Sequence, residues 1–175
     1  MSPAMAPEVA PSLAWRIAAQ VTDPEMPMLT LEDLGVLREV REVGDSGDEV
    51  VVTITPTYSG CPALATMRDD LVRRLGEAGY DARVEIALSP AWSSDDITER
   101  GRAALREHGL SAPGPAPAAA SGPIALTLLP TRRGLHCPRC GSAEVELTSE
   151  FGATACKALY RCTACLEPFE HVKEI

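Results

Sequence analysis

The sequence predicts an α+β domain followed by a small zinc-ribbon β unit. Hydrophobic periodicity switches between helical and alternating in the order αββαβα, giving a small mixed sheet with three helices. Residues 111–123, "SAPGPAPAAASGP", hold only small residues, glycine and proline, and divide the chain. Beyond them, two CxxC pairs stand 21 residues apart. The expected organisation is therefore 1–110 as the α+β domain, 111–123 as a linker and 124–175 as the ribbon.

The first helix is read over 12–21, "SLAWRIAAQV". Ser12 is its N-cap, Leu13, Ile17 and Val21 form its apolar face, and Asp23-Pro24 stops it. "LGVLREVREV" and "EVVVTIT" are β-branched runs separated by the turn-rich "GDSGD", a hairpin between about 34 and 56. After Cys61-Pro62, apolar Leu64, Met67, Leu71, Leu75 and Ala78 recur every three or four residues and mark the second helix. "ARVEIAL" alternates as a third strand, so the helix before it serves as a crossover between parallel or near-neighbour strands. "SSDDITERGRAALREHG" has a serine cap, an acidic first turn, late basic residues and Gly109 as its stop, the pattern of a third helix. "IALTLLP", 124–130, is a candidate first strand of the C-terminal unit.

Composition narrows the functional classes. Mean hydropathy is near zero and 45% of the 175 residues are hydrophobic, enough for one ordinary core and a small second unit. The N-terminus lacks a basic region followed by an apolar run, and no run reaches the roughly 18 apolar residues that span a bilayer. Six cysteines without an export signal point to metal or thiol chemistry in a reducing cytoplasm. The net charge is −9, and residues 131–175 are balanced at six basic and six acidic side chains, so neither part is a basic footprint for nucleic acid.

Cys137, Cys140, Cys162 and Cys165 supply the four sulfurs that tetrahedral zinc prefers. A unit this close to the ~40-residue limit below which domains need a metal or cross-link gains about 10–16 kcal/mol from a structural zinc. Iron in the same four sulfurs, rubredoxin-like, is the alternative. Cys156 precedes an extended segment running to Cys162, which carries it some ~20 Å away and excludes it from that metal; it reads as a small, buried residue.

Cys61, in "TPTYSGCPAL", admits two readings. If Pro62 opens the helix, Cys61 is the N-cap, and the backbone N–H groups of Ala63 and Leu64 favour its thiolate. Otherwise it is a small residue filling a corner. Gly60 leaves room for a partner to approach. "TDPEMP", 22–27, leaves Asp23 and Glu25 as carboxylates that either solvate a loop or face the Cys61 corner. None of the three histidines is near Cys61 in sequence, which gives a Cys-His hydrolase little support.

These motifs carry a resemblance. "VTDPEMPMLTLEDLGVLREV" with "VVTITPTYSGCPA" closely resembles the SufT-type domain family, whose members assist iron-sulfur cluster assembly or insertion. "CPRCGSAEVELTSEFGATACKALYRCTACLEPFEHVK" resembles the tail of the D-subunit family of bacterial phenylacetyl-CoA epoxidase systems. The resemblance implies a cytoplasmic accessory protein in aerobic phenylacetate degradation. Its expected partners are the di-iron oxygenase, the iron-sulfur flavin reductase and the iron-sulfur assembly machinery. It further implies that Cys61 is the functional thiol, supported by the signature positions Asp23, Glu25, Thr55, Gly60 and Pro62, with zinc in the ribbon and a transient iron or iron-sulfur cluster as cargo. A non-catalytic docking subunit of the oxygenase is the rival expectation. A thiol redox enzyme is disfavoured because no resolving cysteine lies near Cys61 in sequence.

Overall fold

The computed structural model describes residues 11–44, 47–58, 60–116 and 135–175. The N-terminal part follows the expected order. α1 spans Leu13–Ala18, β1 Leu37–Val43, β2 Glu49–Ile54, α2 Leu64–Glu77, β3 Asp81–Ile86 and α3 Glu99–Glu107. β1 and β2 pair antiparallel with Val43 opposite Glu49, and a bulge between Leu37 and Glu39 bends the hairpin's far end. α2 is the crossover that lets β3 lie parallel to β2, giving the sheet order β1-β2-β3.

β2 is the central strand, and Val50, Val51, Val52 and Ile54 are all buried on it. α2 lays Met67, Leu71 and Leu75 into the same core, the four-residue spacing that aligns side chains on one helical face. α1 keeps its predicted cap, Ser12 Oγ accepting from Trp15 N at 3.2 Å. Its buried face is only partly the expected one. Ala14 and Ala18 are buried and Leu13 is 51% exposed, while Ile17 packs partly buried against the core and Val21, just past the helix, is buried as expected.

The predicted third helix is two elements. Ser93 and Asp96 form a capping box around a 3-10 turn, Ser94–Asp96, and the extended backbone of Ile97 ends it. α3 then starts afresh, with Thr98 Oγ1 accepting from Gly101 N at 3.0 Å. Two caps within five residues compete for one start, and Ile97 resolves the contest by turning into the core.

The C-terminal unit is an antiparallel sheet, β4 Val145–Ser149, β5 Lys157–Cys162 and β6 Pro168–Val172, in the order β4-β5-β6. Its own apolar cluster is small: Cys137, Cys162 and Phe169, with Val145 and Tyr160 against them. β6 also serves the first domain. Val172 belongs to the large N-terminal core, and His171 bridges Ser111. Ser111 N donates to Glu170 O at 2.9 Å, Val172 N to Ser111 O at 3.0 Å, and Ser94 N to Ile175 O at 3.1 Å. The first residues of the expected linker, 111–116, are thus held against β6 and its flank. The rest of that segment and the candidate strand 124–130 lie outside the described residues. No helix among the described residues is long and apolar enough to cross a membrane.

Candidate functional site

Two cysteine sites emerge. In the ribbon, each CxxC pair forms a knuckle whose next residue takes a left-handed backbone, Gly141 at φ 74° and Leu166 at φ 65°. The first knuckle closes with Gly141 N on Cys137 O at 2.9 Å, the second with Cys162 N on Glu167 O at 2.9 Å. Facing one another, they bring all four sulfurs within 4.8 Å. Zinc–sulfur bonds of about 2.3 Å in a tetrahedron require sulfur–sulfur edges near ~3.8 Å. Cys137–Cys165 at 3.7 Å and Cys140–Cys162 at 3.6 Å match that geometry, so the donor set fits the ion. The Cys165 backbone N–H, directed at the Cys162 sulfur, holds that thiol down to about 7, which eases loss of its proton to water so that the thiolate can take a metal. Cys156 is outside this cluster, as its distance along β5 requires.

The second site is the corner around Cys61. Here the local structure departs from the sequence expectation. Pro62 and Ala63 form a turn, α2 starts only at Leu64, and its cap position is Ala63 without a side-chain bond. Cys61 therefore stands before the cap, half-buried, packed on the N-terminal core and donating its own N–H to Tyr58 O at 3.2 Å. The N–H groups of Ala63 and Leu64 still reach its sulfur and favour the thiolate. Burial outweighs them, and the charges of Asp23 and Cys156 add to it, so the thiol is pushed up rather than down.

Asp23 is buried, and its Oδ1 accepts from Glu25 N at 2.7 Å and Met26 N at 2.9 Å, an Asx turn that shapes the loop. Burial pushes its carboxyl up against the pull of those two N–H groups. Thr22 and Thr30 bridge across the base of the loop, and Asp23 N donates to Leu29 O at 3.0 Å. Glu25 is exposed at the rim, near enough for its charge to be felt at Asp23 and Tyr58. Thr55 is fully enclosed at the end of β2, and its Oγ1 has no hydrogen-bond partner among the described residues. A Cβ on Gly60 would stand 3.4 Å from the Tyr58 ring, at the edge of ordinary van der Waals contact. Pro62 is exposed.

The chain matches two family models, "Iron-sulfur cluster assembly protein" over 19–88 and "PaaD zinc beta ribbon domain" over 122–173. It is also 41% identical over 160 residues to an Escherichia coli (strain K12) protein named as a candidate D-subunit of 1,2-phenylacetyl-CoA epoxidase, covering 91% of this chain and 90% of that one. The chain belongs to the phenylacetyl-CoA epoxidase D-subunit family. Solved structures with partial likeness are a domain of unknown function, DUF59, from Bacillus anthracis and Rv1466 from Mycobacterium tuberculosis. The first is 24% identical over 53% of this chain and 87% of that one, TM-score 0.47. The second, titled as associated with Fe-S complex assembly and repair, is 30% identical over 59% and 92%, TM-score 0.32.

Within this D-subunit fold the Cys61 corner includes residues that no motif spacing could link to it. Cys156 is near enough for its charge to be felt at Cys61 and Tyr58, and Lys157 near enough to be felt at Asp23. The electrostatics yield a prediction. Asp23→Asn keeps the Oδ1 acceptor of the Asx turn but removes a charge beside Cys61, so the thiol's pKa falls. The pH dependence of iodoacetamide alkylation measures it: the reactive limb moves to lower pH, and an unmoved profile contradicts the coupling.

Proposed function

We propose that the protein acts as a non-catalytic accessory of the phenylacetyl-CoA epoxidase system, holding iron or an iron-sulfur cluster at Cys61 during its assembly or transfer to the oxygenase or reductase. The observation that carries this reading is the match of residues 19–88 to an iron-sulfur cluster assembly family, a span that contains both Asp23 and Cys61. The chemistry of the corner agrees. A thiol pushed up by burial and neighbouring negative charge is poorly suited to nucleophilic attack at neutral pH, whereas a cation bound to it would relieve both penalties. The ribbon, with four protein sulfurs on its metal, leaves no open coordination position and suits a structural or partner-binding role.

The test is Cys61→Ala in a host growing on phenylacetate, followed by iron and acid-labile sulfide measurements on the purified oxygenase and reductase. The expected result is slowed growth with iron-depleted components while the variant itself remains folded. Full metal content with normal growth would overturn the reading in favour of a docking role.

A further inference from the structure

The second knuckle of the ribbon carries a leucine where the first carries glycine. Gly141 at φ 74° and Leu166 at φ 65° hold the same place, directly after the second cysteine of a CxxC pair. Glycine takes that backbone freely, whereas leucine takes it against its own Cβ. Among the described residues Leu166 is the one non-glycine with a positive φ, and its side chain is 60% exposed. Neither the backbone nor burial within the chain favours a leucine there. The strain is held by a firm frame: Cys162 N donates to Glu167 O at 2.9 Å, Thr163 N to Glu144 O at 2.8 Å, and Arg139 pairs with Glu167 at 3.3 Å from one knuckle to the other. These bonds all run within the ribbon, so the leucine is displayed in one fixed place. Phe151, more exposed still, differs in having Lys173 Nζ over its ring at 4.4 Å.

We propose that Leu166 is the docking point of the ribbon, received by an apolar pocket on a partner protein whose rim carries cationic side chains or backbone N–H groups. This rests on the reading of the protein as an accessory of the epoxidase system, and it names the residue that holds the oxygenase or reductase component. Backbone strain kept at an exposed position marks function rather than packing. A leucine already fixed by its knuckle also loses little freedom when a pocket closes over it. The rim follows from charge. Cys140 and Cys165 are exposed at this end of the ribbon, and four thiolates on one divalent ion leave it a net negative charge. Arg139 is already occupied by Glu167. A partner that covered the knuckle with carboxylates would be repelled, while one offering Arg, Lys or N–H groups gains charge-assisted hydrogen bonds to the sulfurs.

The test uses the zinc-loaded, full-length chain with the purified oxygenase and the purified reductase, binding being read by biolayer interferometry. Wild type is expected to bind one of the two components. Leu166→Gly and Leu166→Asn introduce residues that accept a left-handed backbone, so zinc content and ribbon amide shifts should be kept. Both should bind that component about tenfold to a hundredfold more weakly, the worth of one buried leucine side chain. Cys61→Ala, which removes the cargo thiol, should bind like wild type. If both Leu166 variants bind like wild type, or lose their zinc, the docking point is overturned. If they instead break a self-association of the chain seen by sedimentation, the occupant is a second copy and the proposed partner is overturned. Wild type binding neither component also overturns the docking point, whereas the reading of Cys61 falls only on the iron and sulfide measurements made with Cys61→Ala.

Discussion

Replacing Cys162 with serine unfolds the C-terminal unit while leaving the first domain folded but weakened. Cys162 is fully buried, gives one edge of the sulfur tetrahedron with Cys140 and accepts the Cys165 N–H. Little else holds the ribbon. Its apolar cluster is three buried residues, two of which are the metal-binding Cys137 and Cys162 themselves. Without the metal, the four thiols within 4.8 Å of one another, two of them exposed, lose the ion that ties the two knuckles together. The first domain has its own core along β2 and α2 and survives, but loses Val172 and the bond from Ser94 N to Ile175 O. Amide spectra should show residues 135–175 collapsing to random-coil shifts, strands β1 to β3 keeping theirs, and Ser94 and Ser111 moving. A strong chelator acting on wild type should reproduce the pattern. Acid should as well, because a metal held by thiolates is lost as each sulfur takes back a proton, so affinity falls as pH drops. A metal-free ribbon with dispersed amides would contradict this dependence on the ion.

Local patterns are legible in the sequence, and long-range meetings are not. The αββαβα order, the α2 stripe of Met67, Leu71 and Leu75, and the four zinc-ribbon cysteines follow from periodicity and spacing, which are properties of neighbours in the chain. The start of α2 is harder to read because Pro62 suits the first turn of a helix, yet the chain spends Pro62 and Ala63 on a separate turn. The inward face of α1 is only partly legible, because periodicity ranks leucine above alanine, yet Ala14 and Ala18 are buried and Leu13 is exposed. Most consequential, the sign of the Cys61 shift depends on how deeply the corner is buried and on which charges arrive from elsewhere. The backbone N–H groups are predictable; Asp23 and Cys156 come from remote segments brought in by tertiary packing. The residues 111–116 show the same limit. Their composition offers little to bury, yet Ser111 exchanges backbone hydrogen bonds with Glu170 and Val172 of β6, and Gly114 N donates to the Glu174 carboxylate, contacts that composition does not report.

Asp33→Ala should cost about 1–3 kcal/mol, a sizeable share of a stability in the range of roughly 5–15 kcal/mol. The carboxylate is 4% exposed and acts as a hub. Oδ2 accepts from Thr30 N at 3.2 Å and Thr30 Oγ1 at 2.9 Å; Oδ1 accepts from Thr98 Oγ1 at 3.1 Å and pairs with Arg100 Nε at 2.7 Å. Its backbone carbonyl takes Thr98 N at 2.9 Å, and a Cβ on Gly101 would stand 2.8 Å from that oxygen, so the start of α3 is pressed directly onto this loop. Removing the carboxylate leaves the part-buried Thr30 N–H, Thr30 Oγ1 and Thr98 Oγ1 without their acceptor. Asp33→Asn retains one acceptor oxygen and should fall between alanine and wild type in urea midpoint. The damage should also travel to the candidate site. Thr30 is the partner of Thr22 in the bridge that closes the Asp23 loop, so loosening Thr30 loosens the carboxylate that bears on Cys61. Cys61 alkylation should therefore change in Asp33→Ala even at urea concentrations where the protein remains folded. A midpoint shift worth under about 1 kcal/mol, or a thiol profile identical to wild type, would mean that packing of the loop core, rather than this network, positions Asp23.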